Sequence, residues 1–579
     1  MALLGFVFEL FLGGAWVEVT DYVRHQKDNN SGGTRDESPK LTPAKATLTL
    51  DSTGDRFNPR NPHGPYFGLL VRNTPIRISC AGGVPNAYRF YGEVFSWPPR
   101  WDAKGSNRWV EIEANGALRR IIRNKATPWS FYRSWINTPI VNHTPFYHWA
   151  LEEGSGADVA LPDIGEGGAI LIPYSATASS LQGRSWGKAE MNDWHPNGVL
   201  IPNLHTLWFP CDIRGSGVAA WEASGLFTHT ANETVTQIEI NCGTLIWYFN
   251  MYSPGPDYNF GEISVITPDG AASVLPFHLF NLKDSGPIWF NFRASFSAGT
   301  ITAYWSWKAV GNTNPTVSSL VVSTIAAPSQ VYPRYVGVSS VANTADNTSQ
   351  TSATGLKDFF VAGCSIGSAN MGIAYSATKG GLGEETDVRF TRICDQMGIN
   401  NTASVFGSLS MGRQYIETLE GHLQQILASG RHSGIVESRV DNELALLGLA
   451  PNRGAIDLTE IIPDLEPAED DQGTANIVVL KDANGSQATL TKETGEMSIV
   501  NIGPFEGKLE TNNRLLSEAL ALAGLALARG TWPGPRFAAI TVSARLNPSR
   551  YAFYRTIDVG DFISLTGMDA HGYYDPMLF

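Results

Sequence analysis

The stretch Thr47 to Ile78, TLTLDSTGDRFNPRNPHGPYFGLLVRNTPIRI, decides how the chain is read. Thr47, Leu48, Thr49 and Leu50 alternate hydroxyl and apolar side chains, and Leu70, Arg72, Thr74, Ile76 and Ile78 keep the same period on the far side, so both ends predict strands. Between them Gly54, Pro59, Pro62, Gly64, Pro65 and Gly68 forbid regular structure. Phe57, Tyr66 and Phe67 give this excursion apolar area that a solvated loop would not need, which predicts that it docks.

The 579 residues exceed what one core can organise and predict about four domains. Charged residues make up 17%, below the roughly 25% of an average soluble protein, and aromatics are plentiful. Such a surface suits an assembly. A formal charge of −13 without clustered Lys and Arg argues against gripping nucleic-acid phosphates; an acidic wall that DNA slides past and an ordinary acidic soluble protein both fit it. Cys80, Cys211, Cys242, Cys364 and Cys394 show no CxxC spacing, so neither a disulfide framework nor a zinc site is encoded, and folding in a reducing cytoplasm fits. The start, MALLGFVFELFLGG, lacks a basic region and carries Glu9, so a hairpin of Phe6 to Leu12 and Trp16 to Tyr22 around Gly13-Gly14 is preferred over a signal peptide. No run of 18 apolar residues predicts a membrane span.

Residues 1 to about 141 read as mostly β, with a polar, mobile tip from His25 to Lys40, further strands at Tyr88 to Trp97 and Trp109 to Ala114, and a short helix from Gly116 to Arg123 with Leu118 and Ile122 on one face. Helical periodicity begins at Glu384, with Val388, Ile393 and Met397 on or beside one face and Gly398 as a stop. Glu417 to Ser429 repeats the pattern with Leu419, Leu423, Ile426 and Leu427 before Gly430. The next segment, ESRVDNELALLGL, fits a strand or a short helix. After residue 457, strands are predicted at Asn476 to Leu480, Ala488 to Thr491, Ala538 to Ala544 and Phe562 to Thr566, and one helix at Asn512 to Arg529.

The opening stretch resembles a segment of minor tail proteins from siphophages of actinobacteria. The resemblance rests on Leu50-Asp51, Gly54 to Phe57, Pro59 to Pro62, Tyr66, and Arg72 to Ile78. Phe146 to Gly156, FYHWALEEGSG, resembles the opening of laminin-G or concanavalin-like jelly rolls; Trp289 to Trp305 reads as a hairpin about Ser297-Ala298-Gly299, and Gly355 to Val361 resembles the closing strand. Ile557 to Asp561 before a final strand resembles the second barrel of tail hub proteins.

These resemblances imply a mainly β, multi-domain chain with some helix. Residues 1–141 are expected as a tail-tube-like β-barrel, 142–370 as an inserted jelly-roll β-sandwich, 371–456 as a small helix-containing domain, and 457–579 as a second tube-like barrel. The function implied is a virion structural protein, made in the host cytoplasm and placed at the tail tip. It would be a homotrimeric hub that meets the distal tail protein and the tape measure protein, passes DNA through its lumen without specific binding, and offers the sandwich to a host-envelope glycan. A hexameric distal tail ring and a tail-associated glycoside hydrolase are the rivals.

No HExxH, P-loop or GxSxG occurs, and no catalytic, cofactor or metal residue is assigned. His143 and His148 are five apart, on opposite faces of a strand. Glu152 and Glu153 likewise diverge, which spoils a glycosidase pair. The run Glu460 to Asp471 reads as a solvated acidic loop. The glycan-binding candidates are Trp186, Asn192, Asp193, Trp194 and His195, because aromatic faces with nearby polar groups suit sugars; the competing use of the tryptophans is to fill the sandwich core.

Overall fold

The computed structural model describes residues 6–578 except 31–32, 35–40, 81–87, 105, 124–127, 129, 138–144, 152–158, 174–184, 189–197, 202–204, 217, 230–234, 244, 256–257, 267–271, 280–287, 310–318, 327–330, 342–358, 369–380, 416, 440, 449–451, 462–472, 484, 534–539, 544–546, 555–556, 558–560 and 568–576. The fold is mainly β and multi-domain. The chain divides into two compact units, one of 1–128, 383–412 and 417–579, the other of 129–382 and 413–416.

In the first unit, alternation builds an antiparallel sheet in the order Ala15–Glu18, Phe6–Leu12, Thr74–Cys80, Tyr88–Val94, Arg108–Asn115, Lys45–Asp51, Val23–Asn30, with Pro99–Trp101 beside Arg108–Asn115. Leu48 and Leu50 point inward, as do Ile76 and Ile78, and they meet Phe8, Leu10, Phe90, Val110 and Ile112 in one core. Side chains from both ends of the strand order share that core, so the sheet curls as a half-barrel.

The excursion from Ser52 to Asn73 is a run of turns in which the Asn58, Asn61, Gly64 and Phe67 amides each donate to the carbonyl three residues back. It docks through Phe57, which is fully buried and stacks on Tyr66 at 5.5 Å. Phe67 departs from the expectation and stays 53% exposed.

The stretch expected as a mobile tip is partly strand. Val23–Asn30 pairs along Lys45–Asp51, and Gly33–Thr34 with Leu41–Thr42 joins a second sheet beside Gly434–Glu437. Main-chain hydrogen bonds set this pairing, and they require no apolar side chains. That second sheet continues through Glu443–Leu447 to Asn400–Ala403, so the segment open to two readings is a hairpin.

Against it pack the helices Thr386–Gln396 and Leu419–Ser429. Thr418 caps the latter by accepting from the Gly421 amide at 3.2 Å, an arrangement worth about 1 kcal/mol. The buried face of the former is Phe390, Ile393 and Cys394, whereas Val388 is 52% exposed. The Leu118–Arg123 helix buries Leu118 and Ile121 rather than Ile122, an i, i+3 pair.

The described C-terminal residues form two three-stranded sheets: Gln487–Thr491, Ile477–Asp482 and Glu506–Thr511 under the Leu516–Gly530 helix, and Asn452–Asp457, Phe562–Thr566 and Met577–Leu578. The helix starts after Asn512 and Asn513, whose buried side chains bond Gln425 and Ser429, and it leaves Leu515 and Leu516 exposed. Of the strand expected at Ala538 to Ala544, the described residues form an isolated bridge between Val542 and Ile461.

Among the described residues the second unit is a sandwich of two eight-stranded antiparallel sheets, and the first and last of these strands pair, Trp149 opposite Cys364. The hairpin about Ala298-Gly299 is present; both turn residues have positive φ, 50° and 77°, which matches the twist of the flanking strands. Trp149, Trp221, Trp247, Phe292 and Trp305 fill the space between the sheets. The final strand, Phe359–Ser368, runs through the middle of one sheet.

Candidate functional site

The Ala220–His229 strand lies between Phe359–Ser368 and Ile288–Ser297, with Thr300–Ala309 beyond. Its alternation sends Trp221 and Ala223 into the core, which places Glu222 and Ser224 on the opposite face. On the neighbouring strand Phe290, Phe292 and Ala294 face the core, while Asn291 and Arg293 share the face of Glu222 and Ser224.

Register aligns these groups in two rows. One runs His148, Ser365, Ser224, Asn291, Ser306; the other runs Gly367, Glu222, Arg293, Tyr304. Polar residues on a solvated sheet face would be exposed, yet His148 is fully buried, Glu222 is 3% exposed, Ser224 0% and Asn291 8%.

Asn291 Nδ2 donates to Glu222 Oε2 at 3.3 Å, and Arg293 Nε lies 3.9 Å from Glu222 Oε1. The Arg293 side chain is half exposed and its guanidinium sits 5.9 Å from the Tyr304 ring centre, so it forms the rim. At the far end His148 Nε2 is 3.9 Å from Asp163, whose carboxylate takes two hydrogen bonds from Arg133, at 2.8 and 2.6 Å, and one from Asn137 at 3.0 Å. This end is closed by side chains of the fold, whereas Ser224 Oγ and Asn291 Oδ1 are buried without a hydrogen-bond partner.

Of the sequence candidates, Trp186 lies on the short Ser185–Lys188 strand at the sheet's edge, opposite Val199. Asn192, Asp193, Trp194 and His195 fall outside the described residues, as do Glu152, Glu153 and most of the acidic run after Ile461. Sequence reading passed over Glu222 and Asn291. The available signal was WEAS and WFNFR: polar residues at every second position of strands whose other positions are core-forming.

In the first unit, Glu384 is buried and accepts from Arg389 Nε at 2.8 Å and Arg392 Nε at 2.7 Å, and Arg389 Nη2 reaches the Gly412 carbonyl at 2.7 Å. Burial pushes the Glu384 carboxyl up, but the Arg392 and Arg389 guanidiniums outweigh it and hold it below the usual carboxylate value. His422 beside them is driven down to about 3, first by burial and then by the same two arginines, so it is neutral. Glu437, on the Gly434–Glu437 strand, accepts from the Ala44 and Leu118 amides, both at 2.5 Å, and burial raises its carboxyl to about 7. These buried groups join elements of the fold to one another. Among the described residues no three His, Cys, Asp or Glu converge to hold a metal ion.

No protein-family model matches the chain, and no curated protein matches it. Among solved structures, a 43 kDa tail protein of prophage MuSo2 from Shewanella oneidensis aligns over 99% of this chain and 90% of its own, at 8% identity and a TM-score of 0.35. The binding domain of botulinum neurotoxin DC aligns over 42% of this chain at 10% identity and a TM-score of 0.25, and this chain spans about half, 52%, of the toxin chain's length. A glycosyl hydrolase family 16 protein from Mycobacterium smegmatis aligns over 38% of this chain and 100% of its own, at 11% identity and a TM-score of 0.21. At these scores and identities none of the three carries an argument.

Proposed function

We propose that the chain is a virion structural protein, a tail-tip hub subunit that closes the distal end of a siphophage tail tube and displays its sandwich to a glycan of the host envelope. The observation that carries this reading is the docked excursion between Lys45–Asp51 and Thr74–Cys80, whose sequence resembles that of actinobacteriophage minor tail proteins and whose buried Phe57 and stacked Tyr66 build it into the wall of a curled antiparallel sheet. Residues 1–141 and 457–579 act as the tube-facing parts, 371–456 as the helical support, and 142–370 as the displayed module. The hub is a trimer that contacts the distal tail protein and the tape measure protein, and DNA crosses its lumen without specific contacts. The acidic balance of −13 supports that passage by repulsion.

Immunogold labelling of intact particles with antibody against residues 142–370 tests the reading. It expects gold at the tail tip; label along the tail shaft or on the capsid refutes it.

A further inference from the structure

We propose that Ser224 and Asn291, on the non-core face of the sandwich, form a subsite for a neutral, hydroxyl-rich sugar. The inference rests on the glycan-facing role given to the sandwich and moves the contact away from the Trp186 to His195 stretch.

Two observations carry it. Ser224 Oγ and Asn291 Oδ1 are buried without a hydrogen-bond partner. Such an atom loses its water on folding and gains nothing in return, so a buried orphan needs an explanation. Here two stand side by side, since Ser224 and Asn291 are direct cross-strand partners, about 5 Å apart at their Cβ atoms. The Asn291 orientation follows from chemistry: only its NH₂ can donate to the Glu222 carboxylate, which leaves its oxygen turned away as an acceptor.

The ligand's class follows from the inventory. Asn291 Oδ1 accepts only, Ser224 Oγ accepts or donates, and the Glu222 carboxylate beside them accepts only. A ligand must therefore bring donors, and neighbouring sugar hydroxyls bring them together with acceptors for Ser224. An anionic sugar would set its own acceptor oxygens against those of Glu222, and Arg293 already faces that side chain. Tyr304 and the half-exposed Arg293 flank the row as a rim against which a sugar's C–H face can lie.

The test uses the full-length protein, with galactan and arabinan oligosaccharides as neutral probes and a sialylated oligosaccharide as the anionic one, measured by titration calorimetry beside thermal unfolding. Wild type should bind a neutral probe at least tenfold more tightly than the sialylated one. Ser224→Ala should lose at least tenfold in affinity while its Tm stays the same or rises, because removing an orphan hydroxyl relieves the fold. Asn291→Ala should lose affinity too; it also takes a donor from Glu222, so Ser224→Ala carries the stability arm. Unchanged affinity in Ser224→Ala, or a lowered Tm with affinity intact, overturns the inference. Binding lost in Trp186→Ala but kept in Ser224→Ala and Asn291→Ala overturns it while leaving the glycan role of the sandwich standing. Failure of every probe to bind removes both, and tail-tip labelling of the particle still decides the hub role separately.

Discussion

Replacing Glu437 by Ala should loosen the junction between the curled sheet and the helical part of the first unit, and the size of the effect can be worked from its contacts. The carboxylate takes the amide of Ala44, at the mouth of the Lys45–Asp51 strand, and that of Leu118, the first residue of a helix, and it is 6% exposed. Truncation leaves two buried N–H groups without acceptors, at about 1–3 kcal/mol each. A local loss of about 2 kcal/mol corresponds to roughly thirtyfold faster opening. Hydrogen exchange with peptide-level readout should show that acceleration in peptides holding Ala44 and Leu118, with the sandwich peptides unchanged.

The same residue sets a pH dependence. Its folded value, raised to about 7 from 4.5, means that the folded state holds a proton the unfolded state releases. The associated stability is fully present below pH 4.5 and is lost as pH rises through about 7. It amounts to about 3 kcal/mol for a shift of this size. Glu437→Gln should flatten that slope relative to wild type. Equal protection of Ala44 and Leu118 in Glu437→Ala, together with an unchanged pH slope in Glu437→Gln, would exclude this role for the Glu437 carboxyl.

Three further outcomes are expected. Glu384→Gln leaves the fully buried Arg389 with a weakened counter-charge and should destabilise the first unit by about 3–5 kcal/mol in urea unfolding. Because the Glu384 carboxyl is held low, the stability it provides is present above the ordinary carboxylate value and fades as pH falls through its folded value. Gly116→Ala would drive a Cβ into the Glu437 carboxylate and should cost about 1–3 kcal/mol, read by the same unfolding curve. Ala298→Gly removes a side chain from a positive-φ position in the sandwich hairpin and should raise the sandwich's Tm, whereas Gly299→Val should lower it.

What could be read from sequence follows from what each pattern physically encodes. Period-two alternation at Thr47 to Leu50 and Thr74 to Ile78 gave strands because one face of each meets a core. The same rule missed Val23–Asn30, whose pairing rests on main-chain bonds that polar side chains neither signal nor prevent. Helical spacing located the helices but not their faces: Val388 and Leu515 fit the apolar pattern yet remain exposed, and Phe390 carries the burial. Composition drew attention to Trp186 and Trp194 as sugar platforms. The polar rows at Glu222, Ser224 and Asn291 needed register to be seen, because residues nearly 70 positions apart become neighbours only once two strands are aligned.

The most direct measurement is the position and copy number of this chain in an intact particle, by electron cryo-microscopy of the tail. Three copies are expected to close the distal end of the tube, with the antiparallel sheet of residues 6–115 built into the wall around the passage. A six-copy ring above the tip, or density for this chain away from the tube, would contradict it.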